Sequence, residues 1–85
     1  MTKSRTTSRR PATRYRDLGA YIAATRDTQA NIAARVGTTQ AHISRIVNGD
    51  AIPRSLLAAR IASYARIPLD SFTRVYLAKQ AGRVA

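Results

Sequence analysis

Apolar residues recur along the chain at helical spacing, beginning near residue 16 and continuing to about residue 81. Steps of three and four residues place a stripe on each of five segments, and no alternating segment is long enough to indicate a β-strand. The pattern therefore predicts an all-α bundle of five helices. The stripes comprise Leu18, Tyr21, Ile22 and Thr25; Ile32, Ala33 and Val36; Ile43, Ile46 and Val47; Leu57, Ile61 and Tyr64; and Phe72, Val75 and Tyr76.

Residues that start and stop helices divide these stripes. Asp27 or Thr28 can cap the second helix, and Gly37 can end it because glycine readily adopts the left-handed conformation. Thr39 can then cap a third helix over residues 40–47. The turn at Asn48-Gly49, followed by Pro53, is predicted to separate the third helix from a fourth over residues 54–65. Pro68 and Asp70 are predicted to separate the fourth helix from a fifth, which is expected to end at Gly82.

Residues 1–13 contain Thr, Ser, Lys, Arg and Pro with almost nothing to bury, so we expect a disordered basic arm ahead of a domain over residues 14–85. The first 16 residues carry six positive charges and no acid, and thus supply +6 of the net charge of +11. Two interpretations are open, a solvated tail that aids solubility or an arm that contacts nucleic acid. The candidate arm contacts are Arg5, Arg9, Arg10 and Arg14.

The charge of the whole chain favours an anionic partner. Its 85 residues include 15 Lys and Arg against 4 Asp and Glu. Repulsion among the excess positive charges destabilises the folded state of a small domain unless an anionic partner offsets it. Nucleic acid is the first candidate. A membrane surface is the second, but it requires a basic helix with a bulky apolar face, and the most basic segment has almost no apolar residues.

Other protein classes are disfavoured by the composition. The chain has no Cys and one His, so we expect neither a disulfide framework nor a zinc site, and no cofactor. No run reaches transmembrane length, and the basic N-terminus lacks the apolar segment of a signal peptide, so Met1 is expected to begin the mature chain. The absence of Cys suits the reducing cytoplasm, where we expect the protein to be located. Abundant Ala, and Arg in preference to Lys, indicate a GC-rich genome, so the chain is predicted to come from a bacterium, its phage or a plasmid.

The second and third helices, joined by a tight turn, have the spacing of a helix-turn-helix motif. With Gln29 as the first position, that motif needs a small residue at the fifth, Gly at the ninth, and branched apolar residues near the fifteenth and eighteenth. Ala33, Gly37, Ile43 and Ile46 occupy those positions. The alternative is an ordinary helix end between two packed helices.

The segment "TQANIAARVGTTQAHISRIVNG" resembles the helix-turn-helix of the lambdoid phage repressor and Cro (XRE-like) family, and "PRSLLAARIASYARIPLDSF" extends the resemblance to cover residues 16–76. The resemblance implies a sequence-specific transcriptional regulator that binds operator double-stranded DNA as a homodimer, with the third helix in the major groove. One departure is Val47, which stands where many relatives carry Glu.

The third helix has a second face. At ~100° per residue, its polar positions form one arc away from Ile43 and Ile46. Arg can donate two hydrogen bonds to guanine, Gln can pair with adenine, and the Ala methyl can contact thymine. The resemblance implies base contacts by Gln40, Ala41, Ser44 and Arg45, and phosphate contacts near helix ends by Gln29, Asn48 and Arg54. Thr39 and His42 are further candidate phosphate contacts. For Arg45 a phosphate contact or a solvated side chain is the alternative, and for His42 simple exposure.

We expect no enzymatic activity. His42 and Ser44 diverge by ~200° around the helix, so they cannot cooperate as base and nucleophile. The apolar residues of the fifth helix, Phe72, Val75 and Tyr76, are predicted to form the dimer interface. Two other classes remain open: a protein-binding module such as an antitoxin, and a non-specific architectural nucleic-acid binder that relies on the arm.

Overall fold

A computed structural model of the chain describes residues 13–84, with side chains described through residue 82. It contains five α-helices and, within those residues, no strand, which confirms the predicted fold class. Arg5, Arg9 and Arg10 lie outside the described residues. None of the described helices is both long and apolar enough to cross a membrane. The helices are α1 (Leu18–Thr25), α2 (Gln29–Val36), α3 (Gln40–Val47), α4 (Ser55–Ala65) and α5 (Ser71–Val84).

Side-chain caps fix the starts of the first three helices. The carboxylate of Asp17 accepts a hydrogen bond from the Ala20 N–H at 2.8 Å and begins α1. Of the two candidates for α2, Thr28 is the cap, because its hydroxyl oxygen accepts from the Asn31 N–H at 3.0 Å. The Thr39 hydroxyl caps α3 in the same way. Such caps stabilise a helix by about 1 kcal/mol each.

Three helices end in the left-handed conformation. Gly37 ends α2 with φ of 86°, as its sequence position predicted. Arg26 ends α1 with φ of 62°, and Arg66 ends α4 with φ of 57°. A non-glycine residue in this region is strained by a contact between its Cβ and the following carbonyl oxygen, so both arginines are held there at a cost in stability.

The hydrophobic core is formed by residues from all five helices. Ile32, Ile43 and Ile61 are fully buried, and they join α2, α3 and α4 at the centre. Helix α2 packs against α3 and α4, and α3 contacts α5. The helix-turn-helix pair is therefore supported on two sides. The other core residues are Leu18, Ala33, Val36, Ile46, Ala58, Ala65, Ile67 and Phe72.

The structure places Phe72 inside the domain rather than at its surface. Its side chain is 5% exposed and belongs to the core, so it cannot supply area to a dimer interface without leaving that core. Val75 is half-buried, and its side chain lies against the turn at Gly49. Tyr76, the third residue predicted for the interface, is half-buried like Val75.

Helix α5 continues beyond its predicted end. It passes through Gly82 and reaches Val84, so the prediction that Gly82 stops the helix is wrong. Apart from the neighbouring residues and backbone of α5 itself, no atom of the described residues lies within 4 Å of the place where a Cβ would stand at Gly82. Glycine lowers helix stability by about 1 kcal/mol relative to alanine but does not forbid helical geometry.

The turn after α3 makes a close approach to α5. Gly49 is buried and has φ of 79°, which confirms that the Asn48-Gly49 turn needs a residue that tolerates positive φ. A Cβ at Gly49 would lie 3.1 Å from the Val75 carbonyl oxygen and 3.2 Å from the Lys79 Cβ. Lys79 also pairs with Asp50 at 2.5 Å. The end of α3 is thereby held directly against α5.

Candidate nucleic-acid interface

The turn between α2 and α3 sets the orientation of α3. The N–H groups of Gly37 and Thr38 both donate to the Ala33 carbonyl oxygen at 2.9 Å, which closes the end of α2 tightly. Ile43 and Ile46 then enter the core with 0% and 3% exposure. Because these two residues fix the rotation of α3 about its axis, the polar side of the helix faces outward.

The outward face of α3 has the polar composition that the sequence predicted. Gln40, Ala41, Arg45 and Asn48 are exposed, and Ser44 is half-buried at the edge of the same arc. Within residues 13–84, the side chains of Gln40 and Arg45 have no hydrogen-bond or ion-pair partner. An Arg and a Gln without a partner in the described part of the chain are available to donate to base edges.

The residues predicted at phosphates lie at the ends of the helices. Gln29 is the first residue of α2, and Arg54 is exposed at the N-cap of α4 without a side-chain cap bond. Helix N-termini attract anions because their first N–H groups have no partner within the helix. Asn48 is the exposed C-cap of α3, and Thr39 is its N-cap, whose hydroxyl hydrogen can still be donated. His42 is half-buried beside the exposed arc.

Three of the four acids of the domain are engaged in contacts away from α3. Asp17 caps α1, Asp27 accepts hydrogen bonds from two tyrosines, and Asp50 pairs with a lysine of α5. In the described part of the chain, no ion pair joins an acid to Arg45 or Arg54. The positive charge of this face is thus not neutralised from within the fold.

Val47 has a structural role that accounts for its departure from the family pattern. Its side chain is half-buried and, like Ile22 of α1, packs against the hydrophobic core. An apolar residue is suited to that contact. The position contributes to holding α3 on the core, and a polar contact to DNA is not expected from it.

The described chain begins at a fixed point on the domain. The N–H groups of Arg14 and Tyr15 donate to the Arg66 carbonyl oxygen, at 2.8 and 3.3 Å. Arg14, one of the predicted arm contacts, is exposed and is tied by its backbone to the end of α4.

A polar cluster around Asp27 was not predicted from the sequence. The Tyr21 and Tyr64 hydroxyls each donate to the Asp27 carboxylate at 2.6 Å. The Asn31 amide and the Thr28 N–H donate to its other oxygen, both at 2.8 Å. Sequence spacing assigned the two tyrosines to apolar stripes; the choice of Tyr rather than Phe was the one indication of a polar partner.

The ionisation of this cluster follows from its contacts. Burial acts to raise the pKa of Asp27, but the hydrogen bonds from Tyr21, Tyr64, Asn31 and the Thr28 backbone outweigh it and lower that pKa to about 2. Burial and the neighbouring carboxylate raise the pKa of the Tyr21 hydroxyl well above its usual value. Asp27 is therefore a carboxylate, and Tyr21 a neutral donor, at neutral pH.

Two exposed leucines, one within α5 and one just before it, were also not predicted from the sequence. Leu69 is 59% exposed just before the helix, and Leu77 is 58% exposed within it. The sequence pattern favoured the residues of the main stripe, of which Phe72 faces the core of the domain.

A helix-turn-helix family model matches residues 22–72, which is more than half of the chain and includes α2, α3 and α4. The fold and this match define a helix-turn-helix protein. The chain belongs to the helix-turn-helix family of the phage repressor and Cro type, whose members are DNA-binding transcription regulators. Neither the search of curated proteins nor that of solved structures gives a significant match.

Proposed function

We propose that this protein regulates transcription by occupying a specific operator in double-stranded DNA, with α3 in the major groove. The observation that carries the proposal is the exposed arc of α3, in which Gln40, Ala41, Ser44 and Arg45 stand opposite the buried Ile43 and Ile46. These side chains match the donor, acceptor and methyl pattern of base edges in that groove. The proposed action is binding without catalysis.

Phosphate contacts are proposed to fix the position of α3 on the duplex. Such contacts set orientation and carry no sequence information directly. The proposed residues sit at helix ends, where side chains and free N–H groups can meet the backbone on either side of the groove. They are Gln29, Thr39, His42, Asn48 and Arg54.

The test of the function is selection of bound sites from random duplexes. Operator recognition by a two-fold dimer predicts a palindrome with half-sites about 10 base pairs apart. Binding with a steep salt dependence but no enriched sequence would indicate an architectural binder instead. An absence of DNA binding would leave the protein-binding class.

We further propose a homodimer whose interface lies on the outer side of α5, including Tyr76 and the exposed Leu69 and Leu77. Two-fold symmetry would place the two α3 helices ~34 Å apart, which matches successive major grooves.

Leu77→Glu is expected to weaken dimerisation by about tenfold or more, because the carboxylate would have to be desolvated in the interface. Sedimentation velocity over a concentration series measures this. Leu56→Glu is the matched control, since Leu56 is similarly exposed, at 67%, but lies on α4. A wild-type protein that stays monomeric on DNA and contacts one half-site would contradict the dimer.

The basic arm is proposed to add affinity through phosphates with little effect on specificity. Deleting residues 2–13 removes four positive charges. The slope of log affinity against log salt should then fall by up to ~3 to 4 per protomer, because fewer counterions are released on binding. A control that replaces Lys3, Arg5, Arg9 and Arg10 with Gln retains the length of the arm. An unchanged slope would support the solubility-tail interpretation.

A further inference from the structure

Asp27 joins three helices at the place where the proposed DNA-binding face begins. We propose that Asp27 is a positioning residue: it holds the N-terminus of α2, and with it Gln29, at a fixed place relative to α4 and Arg54. The inference rests on the proposed function, because it concerns the geometry between two proposed phosphate contacts. It assigns to Asp27, Tyr21 and Tyr64 a role in DNA binding although none of them is among the proposed DNA contacts.

The contacts of Asp27 with α2 fix the turn before that helix. One carboxylate oxygen accepts from the Thr28 N–H and from the Asn31 side-chain amide, both at 2.8 Å. The Thr28 hydroxyl accepts in turn from the Asn31 N–H at 3.0 Å. Thr28, directly before Gln29, and Asn31, two residues after it, are thus held, which opposes fraying and rotation of the start of α2.

The contacts with α1 and α4 fix the turn to the rest of the domain. Tyr21 and Tyr64 donate to the second oxygen of Asp27, and the Asn31 amide also donates to the Tyr64 hydroxyl at 3.2 Å. Tyr64 lies in the last turn of α4, whereas Arg54 immediately precedes its first turn. A helix is stiff and spans ~15 Å over ten residues. Helix α4 therefore forms a rigid connection between Arg54 at one end and, through the bond from Tyr64 to Asp27, the residues before Gln29 at the other.

The charge of Asp27 supports a positioning role. A carboxylate two residues before Gln29 repels a phosphate at the N-terminus of α2, and by charge alone it would weaken DNA binding. Four hydrogen bonds nevertheless converge on it, and hydrogen bonds to an ionised group are stronger and more directional than those between neutral groups. The carboxylate therefore determines geometry at a position where its charge opposes binding.

Tyr64→Phe tests the inference with the least disturbance. It removes the hydroxyl but retains the ring, which packs edge-to-face on Tyr21 with centroids 5.8 Å apart. Affinity for the selected operator should fall by about five- to tenfold, with the ranking of site variants unchanged. Tyr15→Phe is the matched control: its ring also packs on Tyr21, at 5.5 Å, but its hydroxyl is not among the groups bound to Asp27, so affinity should not change.

A double-mutant cycle shows whether Tyr64 acts through the start of α2. If it does, the losses of DNA-binding free energy caused by Tyr64→Phe and Gln29→Ala are not additive. The double variant then binds the operator about as well as whichever single variant has the lower affinity. Affinities are compared at a temperature where circular dichroism shows every variant fully folded. Tyr21→Phe removes the other hydroxyl and should be coupled to Gln29 in the same way, which provides a second variant if Tyr64→Phe is unstable.

Fully additive losses of affinity, or wild-type affinity in both hydroxyl variants, would overturn the inference. The proposed function would remain intact in that case, provided that the wild-type protein recognises the operator. A wild-type protein without any preferred site would overturn the proposed function and this inference together. Coupling of both hydroxyl variants to Gln29, with no effect of Tyr15→Phe, would establish Asp27 as a positioning residue.

Discussion

Replacing Arg45 with alanine is expected to weaken binding to the preferred operator by about 1 to 3 kcal/mol, with the loss concentrated at one G·C pair in each half-site. Arg45 is exposed on α3, and its side chain has no partner within the described domain. Its two donors can therefore meet guanine O6 and N7. The measurement is a binding series over every single-base variant of the selected site, for the wild type and the Arg45→Ala variant.

Two comparison variants give this result its meaning. Gln40→Ala should act at a neighbouring pair, expected to be A·T, because the first residues of the recognition helix lie deepest in the groove. Arg54→Ala should weaken all sites about equally, as expected for a lost phosphate contact. A uniform loss in Arg45→Ala, with the ranking of sites intact, would show that Arg45 binds phosphate and that the base-contacting face is assigned incorrectly.

The second large effect is expected from Gly49→Ala, which should lower the free energy of unfolding by about 2 to 4 kcal/mol. Two causes combine. The φ of 79° is unfavourable for alanine, and the new Cβ would press on the Val75 carbonyl and on Lys79 at 3.1 to 3.2 Å. Backbone and the base of a side chain cannot give way as a flexible chain end would. Chemical denaturation monitored by circular dichroism measures the loss.

Gly82→Ala is the matched control for that experiment. Gly82 lies within α5 with open space around it, so alanine there should stabilise the protein by about 0.5 to 1 kcal/mol. Opposite signs at the two glycines would separate tertiary contact from helix propensity. Equal effects would mean that the approach of the turn to α5 does not control stability.

The sequence was sufficient to predict the features that depend on neighbouring residues. The start of α3 at Gln40 follows from the Thr39 cap, and the end of α2 from Gly37. The burial of Ile43 and Ile46 follows from helical periodicity, and the exposed arc that carries Gln40 and Arg45 follows from the same rotation. The composition of the candidate interface was therefore predictable without tertiary information.

Features that depend on packing between distant segments were not predictable. Phe72 and Leu77 have similar apolar character, yet one enters the core and the other is exposed, because the docking of α5 decides which side faces inward. Asp27 and Thr28 are equally good caps by residue type. The Asp27 carboxylate instead accepts a hydrogen bond from Tyr64, which lies 37 positions along the chain, and Thr28 caps α2. Local chemistry contains no information about such a partner.

Arginine at the left-handed ends of α1 and α4 affects both the stability of the fold and its surface charge. Glycine at Arg26 and Arg66 would relieve a strain of about 1 to 2 kcal/mol at each position. It would also remove two of the eleven net positive charges. Both side chains are exposed, so the charge they carry reaches the surroundings and attracts polyanions at long range. The sequence at these two positions thus exchanges thermodynamic stability for rapid encounter with DNA.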